Sequence, residues 1–195
     1  MVLDLMRLIA MKIVKFDDGQ ITVYGRRMVL VPAETLVSFR EILEKEMGVE
    51  GADAAMIRAG KDLTVKSTRR YVDKKKELRP VFQKLTTGDP SIEMGKEIFK
   101  MSGLGNISIL EVTKDKYLVG TKNSPLANEY LLSRGKSATP VCSFLMGIVC
   151  GVLEGYRHEG YSAKELRCRA TGTSDECIFE FRRTAHQSGL QSHSR

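Results

Sequence analysis

The stretch that most constrains the fold is residues 140–156, Pro-Val-Cys-Ser-Phe-Leu-Met-Gly-Ile-Val-Cys-Gly-Val-Leu-Glu-Gly-Tyr. Its most apolar window, Pro140 to Leu153, has about 14 residues, against the ~20 that a bilayer-spanning helix needs, so it predicts a buried core helix. Thr139 is the expected N-cap and Pro140 the first helical residue, with the helix ending at Glu154 or Tyr156. Gly147, Gly151 and Gly155 recur every fourth residue and leave one side of that helix bare. A bare stripe admits the backbone of a neighbouring element or a bound molecule; close packing is the simpler reading, and the two can coexist.

The rest of the chain supplies partners for such a helix. Met11–Phe16 and Ile21–Tyr24 are β-branched runs joined by Asp17-Asp-Gly-Gln20, a hairpin signal, and Arg27–Val31 continues it as a further strand. Pro32 then suits a first helical turn, Leu36, Phe39 and Leu43 recur at helical spacing, and Gly48 is a natural stop. Residues 51–79 are loosely helix-periodic through Ala54, Ile57, Leu63, Tyr71 and Val72, with Gly60 as a break. Another helix is expected over 91–101, closed by Gly103 and Gly105. Leu104–Val112 and Lys116–Val119 read as a second hairpin, Asn123-Ser-Pro125 as a turn, Ala127–Leu132 as a short helix or loop, and Glu165–Ala170 with Cys177–Arg182 as a third hairpin. Hairpins separated by helices predict an α+β fold, an antiparallel sheet built from hairpins with helices packed on it; a doubly wound parallel sheet would alternate strand and helix strictly.

Length and composition fit one domain over residues 1–182, with hairpin and helices in 1–100 and the motif-bearing core in 101–182, followed by a polar tail at 183–195. The first fourteen residues are apolar but interrupted by Asp4 and Arg7, with no small-residue cleavage site, so they read as a strand or short helix and the protein as soluble and cytoplasmic. Net charge is +7, and basic residues crowd Lys61–Arg79. Acidic residues are interspersed there and no aromatic interleaving or binding motif accompanies them, so a solvated helix face outweighs nucleic-acid contact. No Gly-x-Gly-x-x-Gly, P-loop or Gly-x-Ser-x-Gly occurs, and no histidine precedes His158, which leaves an enzyme reading without residues to stand on.

All four cysteines fall between Thr139 and Phe181. Cys168 and Cys177 flank a loop near Gly172, so a hairpin brings them opposite one another, with Leu166, Cys168 and Ala170 on one strand face. Plain core thiols, a cross-strand disulfide and two thiolate metal ligands all remain open. Cys142, in the first turn of its helix, is a third ligand candidate and Glu165 a fourth. Glu165 is at an odd offset from Cys168, so it faces the same way only if it lies before the strand or at a bulge. Cys150 reads as a core thiol among Val149, Val152 and Leu153, and His158 as a surface residue after the helix, an alternative ligand only by elimination.

With these residues in view, the C-terminal ninety or so positions resemble a 4-vinyl reductase domain, a family related to the sensor domains of phenol-responsive activators and, in fold, to small TRAPP vesicle-tethering subunits. The resemblance rests on Gly105-Asn-Ile-Ser with its hairpin, Cys142 with Gly147 and Gly151, and Glu165-x-x-Cys168-x-Ala-x-Gly172 followed by Cys177. In the phenol-sensor branch a zinc ion is held by the matching positions, so the resemblance implies Cys142, Glu165, Cys168 and Cys177 as ligands of a closed, structural zinc site. It also implies a homodimer with an apolar pocket for a small hydrophobic molecule, lined by some of Ile109, Leu118, Phe144, Ile148 and Gly151. The chain has no Trp and no His ahead of His158. It therefore lacks the aromatic and imidazole anchors for a phenol hydroxyl.

The resulting expectation is a zinc-stabilised, non-catalytic ligand-binding module of sensor type. Two other classes stand beside it: a nucleic-acid or protein-interaction adaptor using residues 61–79, and a reductase of vinyl groups, which only the family name suggests.

Overall fold

The computed structural model describes residues 14–23, 26–73, 96, 99, 100 and 102–184. The element expected at the extreme N-terminus, residues 11–13 of the first hairpin, most of the helix expected over 91–101, the basic run past residue 73 and the tail from 185 lie outside the described residues.

The first hairpin forms as its turn chemistry demands. Val14–Asp17 (β1) pairs antiparallel with Gln20–Val23 (β2), and Asp18 and Gly19 take positive φ of 42° and 69°, the left-handed pair of a two-residue hairpin turn. Arg26–Met28 (β3) adds a third strand, shorter than the expected 27–31: Val29–Val31 are exposed and unpaired. A long helical element, Ala33–Asp73 (α1), follows and is kinked at Gly48, where φ 75° and ψ 171° break the helix at the expected stop. On its first arm Leu36 and Leu43 of the expected stripe pack against the core, but Phe39 does not. Phe39 is 49% exposed, whereas Val37 and Arg40 are buried, because Arg40 finds ionic and hydrogen-bonding partners inside. In the second arm Ala54 and Leu63 face solvent and Ala52, Met56 and Gly60 face inward.

Phe99 and Lys100 are helical, and Leu104 N–H bonds Phe99 O while Gly103 N–H bonds Lys100 O, with Gly103 at φ 72°. That paired closure stops a helix at a glycine, as expected for Gly103. The main sheet then assembles as two hairpins in the order β4-β5-β7-β6. Asn106–Val112 (β4) and Lys116–Lys122 (β5) form the first; Tyr161–Arg167 (β6) and Glu176–Arg183 (β7) form the second. All pairings are antiparallel. β7 reaches Arg183 and Thr184 N–H bonds Gly160 O, so the ordered chain extends past residue 182. Between the hairpins Pro125–Arg134 (α2) starts on Ser124, whose hydroxyl accepts from Ala127 N–H, with Pro125 at the first position.

Ser143–Arg157 (α3) is the expected core helix, starting three residues later than Thr139-Pro140 indicates. The threonine does not cap it: Thr139 N–H and C=O bond the Ser137 hydroxyl, and Pro140 C=O accepts from Arg40. The glycine stripe is occupied by α1. A Cβ at Gly147 would run into the Ile57 carbonyl, at Gly151 into Thr64 and Lys61, and at Gly155 into Thr68 and Val65, closer than real Cβ atoms approach. Gly60 of α1 reciprocates against Phe144 O and Ile148 N, so it continues its helix as a contact point and does not break it. The result is three layers, the sheet, α3 and then α1, with Phe179, Phe181, Val119, Leu145 and Val149 in the shared core. Among the described residues no helix is long and apolar enough to cross a membrane.

Candidate metal centre

Four potential ligand atoms meet where the N-terminus of α3 abuts the β6–β7 hairpin. One ligand atom from each of Cys142, Glu165, Cys168 and Cys177 lies within 4.8 Å of all the others. Local backbone chemistry explains each position. Cys142 is the residue at which α3 begins, and its own N–H donates to Glu165 Oε2 at 3.0 Å. Glu165 pairs with Phe179 and Arg167 with Ile178, so one extra residue, Leu166, sits between them as a bulge. That bulge turns Glu165 inward despite its odd offset from Cys168 and leaves Leu166 47% exposed, off the face it was expected to share with Cys168 and Ala170. Cys168 follows β6 in extended conformation. The single helical turn Arg169–Thr171, closed by Gly172 at φ 75°, then carries the chain round to Cys177, which pairs with Thr121.

Cys142 Sγ is 3.5 Å from Cys177 Sγ and 3.9 Å from Cys168 Sγ. These separations are far beyond a disulfide's ~2.05 Å. They match the edge of a tetrahedron, about 3.8 Å, whose centre lies ~2.3 Å from each sulfur. Three sulfurs and a carboxylate are a donor set that suits a thiophilic divalent cation such as zinc. Backbone amides face the sulfurs as an outer layer: Val141 N–H toward Cys168 Sγ at 3.5 Å and Arg169 N–H toward Cys177 Sγ at 3.4 Å. The Ser124 hydroxyl, which also caps α2, lies 3.3 Å from Cys142 Sγ. Glu165 Oε1 is buried and has no hydrogen-bond partner among the described residues, as expected of an atom shaped to meet a cation.

The electrostatics are those of a cluster that accommodates little negative charge without a counter-ion. Glu165 is pushed up to about 9, first by burial and then by Cys168. Cys142 is raised well above the ordinary thiol range, because it donates to Cys168 and Cys177 and is buried. For Cys168 the bond from Cys142 pulls down, but donation to Cys177, burial and the Cys177 charge outweigh it and raise it. Cys177 alone is lowered, to about 4, by accepting from Cys142 and Cys168. Buried groups raised in this way keep their protons in the absence of a counter-ion, and a dication filling the cluster would displace them.

Two contributors escape the sequence. Ser124 reads as a turn residue, although its cap position was a legible signal for its hydroxyl. Arg40, 1% exposed, bonds Ser143 Oγ and Pro140 O on either side of Cys142. Its i,i+4 spacing to Glu44 looks like an ordinary surface pair, so nothing in the sequence marks it as buried.

The other expected residues scatter. Ile148 is in the core with Phe144 half-buried against it. Ile109 is 38% exposed on β4, opposite Val119. Leu118 lies between the core residues Tyr117 and Val119 and so faces away from α3, and Gly151 is closed off by Thr64 and Lys61. Cys150 is the expected core thiol, donating to Tyr161 O at 3.5 Å and raised to about 11 chiefly by burial. His158 is exposed in a left-handed conformation at the end of α3 opposite Cys142, so it is not a ligand of this cluster.

A family profile described as activator of aromatic catabolism matches residues 4–115, more than half of the 195-residue chain. The match names the sensor relatives of the resemblance read from the sequence, but it falls on residues 4–115, mostly ahead of the C-terminal ninety positions that carried that resemblance, and the 4-vinyl reductase family itself is not the one matched. No curated protein matches the chain. Among solved structures, the phenol-responsive sensory domain of the transcription activator PoxR, with phenol, is similar at 19% identity and a TM-score of 0.71, over 89% of this chain and 86% of that one. A vinyl-4-reductase family protein from Methanocaldococcus jannaschii is similar at 18% identity and a TM-score of 0.54, over 81% of this chain and 85% of that one. These likenesses show an α+β fold of helices and antiparallel sheet in common.

Proposed function

Because the chain belongs to the family of activators of aromatic catabolism, we propose that it is a small-molecule sensor module whose fold is pinned by a structural zinc ion on Cys142, Glu165, Cys168 and Cys177. The observation that carries the zinc is the buried convergence of three thiols and a carboxylate at tetrahedral spacing, with one carboxylate oxygen left without a partner. All four positions are filled by protein, so the ion's contribution is to lock the start of α3 onto the β6–β7 hairpin, with no open position for an activated water. The sensed molecule is small and apolar, of the aromatic class the family description names, bound in a homodimeric, cytoplasmic single-domain module whose last strand ends at Arg183. Of the residues expected to line its pocket, the half-buried Phe144 stands two positions after Cys142 and so nearest in sequence to the zinc.

The test is metal and ligand analysis on one sample of protein purified without added zinc. About one zinc per chain, with thiols that titrate only after chelation and denaturation, is expected. Less than about half an equivalent, with all four thiols titrating freely, overturns the zinc. Native mass spectrometry of the same sample reads the second part: a retained apolar molecule, or saturable uptake of simple aromatics, is expected. Absence of both overturns the sensor.

A further inference from the structure

Among the described residues Arg40 is the one charged side chain buried to 1% exposure, and its partners come from three places. Nε lies 2.9 Å from Glu44 Oε1, an ion pair without the alignment of a hydrogen bond, within the first arm of α1. Nη1 reaches Asp53 Oδ1 at 2.5 Å, across the Gly48 kink on the second arm. The same Nη1 donates to Ser143 Oγ at 2.6 Å, and Nη2 to Pro140 O at 3.3 Å. Pro140 and Ser143 bracket Val141 and Cys142. Those two residues supply the Cys142 sulfur, the N–H that holds Glu165 and the N–H that faces Cys168 Sγ.

We infer that Arg40 is the positioning residue of the metal centre: its guanidinium, fixed on both arms of the kinked helix, grips the turn before α3 and sets where Cys142 and Glu165 stand. The inference rests on the zinc reading above. A planar guanidinium is suited to this task because its rigid fork bonds several acceptors at once, whereas a lysine ammonium of similar length has no fixed geometry. Two carboxylates offset its charge, so the strut is not itself a source of positive charge for the thiolates. Its influence passes through the backbone of residues 140–143. The arrangement also joins the first arm of α1 to the metal, since a change in the kink would shift Asp53 against Glu44 and drag on the same turn.

The experiment loads the full chain with cobalt(II) and compares wild type, Arg40→Met, Arg40→Lys and Ser143→Ala. Visible ligand-field bands report the geometry, and release to a chromophoric chelator reports the rate. A merely structural arginine would lower the melting temperature but leave the bands of the folded protein unmoved. Arg40→Met is expected to shift and broaden the bands and to release metal at least about tenfold faster, the scale of lost outer-layer support. Arg40→Lys should fall between it and wild type. Ser143→Ala, which keeps the buried charge paired, should release metal about threefold faster, and it decides the matter alone if Arg40→Met does not fold. Lys61→Met, at the far end of α3, serves as the destabilised control with unaltered bands. Wild-type bands and release within twofold in both Arg40→Met and Ser143→Ala overturn the inference while leaving the zinc reading intact. Wild-type protein that takes up neither cobalt nor zinc overturns both.

Discussion

Two cysteine–glutamate pairs flank α3, Cys142 with Glu165 at its start and Cys150 with Glu154 from its middle toward its C-terminal end, and only one of the two is complete. At the C-terminal end Glu154 Oε1 accepts from Tyr161 N–H at 3.1 Å and meets Lys61 Nζ at 2.7 Å, while Cys150 donates to Tyr161 O. Carboxylate, cation and thiol are all satisfied by the chain itself. At the N-terminal end Glu165 has Cys142 N–H on one oxygen and nothing on the other, and no ion pair reaches it among the described residues. Around it stand the three thiols of Cys142, Cys168 and Cys177. The same two residue types thus build a closed core contact where a lysine is at hand and leave a carboxylate oxygen without a partner where none is. A buried carboxylate without its own counter-ion is the more informative of the two, because burial disfavours its charge unless a cation arrives.

The largest expected break in that comparison is Cys177→Ser. It removes the sulfur that accepts from both other thiols, and with it a ligand, so metal binding should be lost. The melting temperature should fall by on the order of 10 °C, since ~1 kcal/mol moves it by about 2–4 °C at this size. Cys150→Ser should leave metal content untouched. Metal analysis and a thermal melt of both variants check this, and equal metal loss in the two would erase the distinction between the ends. A smaller effect is expected from Lys61→Met, which strips Glu154 of its cation and leaves Tyr161 N–H. The cost is about 1 kcal/mol, reduced because Lys61 is 36% exposed, with metal content unchanged.

The difference between the ends also explains what was legible in the sequence. Turn chemistry was local and therefore readable: Asp18-Gly19, the Gly48 kink and Gly103 act where their residue types indicate, whereas Ser124-Pro125, read as part of a turn, starts α2. The sheet hairpins and the α+β arrangement follow from the same signals. Thr139 failed as a cap because its local option, a bond with the Ser137 hydroxyl, competes with helix initiation, while Cys142 N–H goes to a residue 23 positions away. The inward turn of Glu165 depends on a bulge that periodicity can require but cannot locate. Arg40 was invisible for a related reason. Its burial is decided by Asp53, Pro140 and Ser143, and a helical stripe pattern assigns that side to Phe39. The glycine stripe could be read as close packing, but not its partner, since Gly60 looked like a break until α3 lay against it.

The most delicate expectation concerns pH in the metal-free protein. Glu165 has its folded value raised to about 9, so through the window from about 4.5 to 9 the folded chain keeps a proton that the unfolded chain has lost. Its contribution to stability is fully present below that window and declines as pH rises. Cys177 has the opposite sign: with its folded value lowered to about 4, the folded chain holds a thiolate where the unfolded chain holds a thiol, and its contribution grows with pH over nearly the same range. The two slopes, one proton each, offset one another, and Cys142 and Cys168, both raised, enter only once pH passes the value at which an unfolded thiol ionises. Chelator-treated wild-type protein should therefore show little pH dependence from this cluster between pH 5 and 8. Glu165→Gln removes one slope and leaves the other, so the metal-free variant should gain stability relative to wild type as pH rises, by at most about 1.4 kcal/mol per pH unit. Urea melts of the two chelated proteins at pH 5, 6, 7 and 8 measure that difference. A gap that stays constant across the series would mean that Glu165 carries its charge in the folded, metal-free state, and that its unpartnered oxygen is already compensated within the protein, as Glu154 is by Lys61.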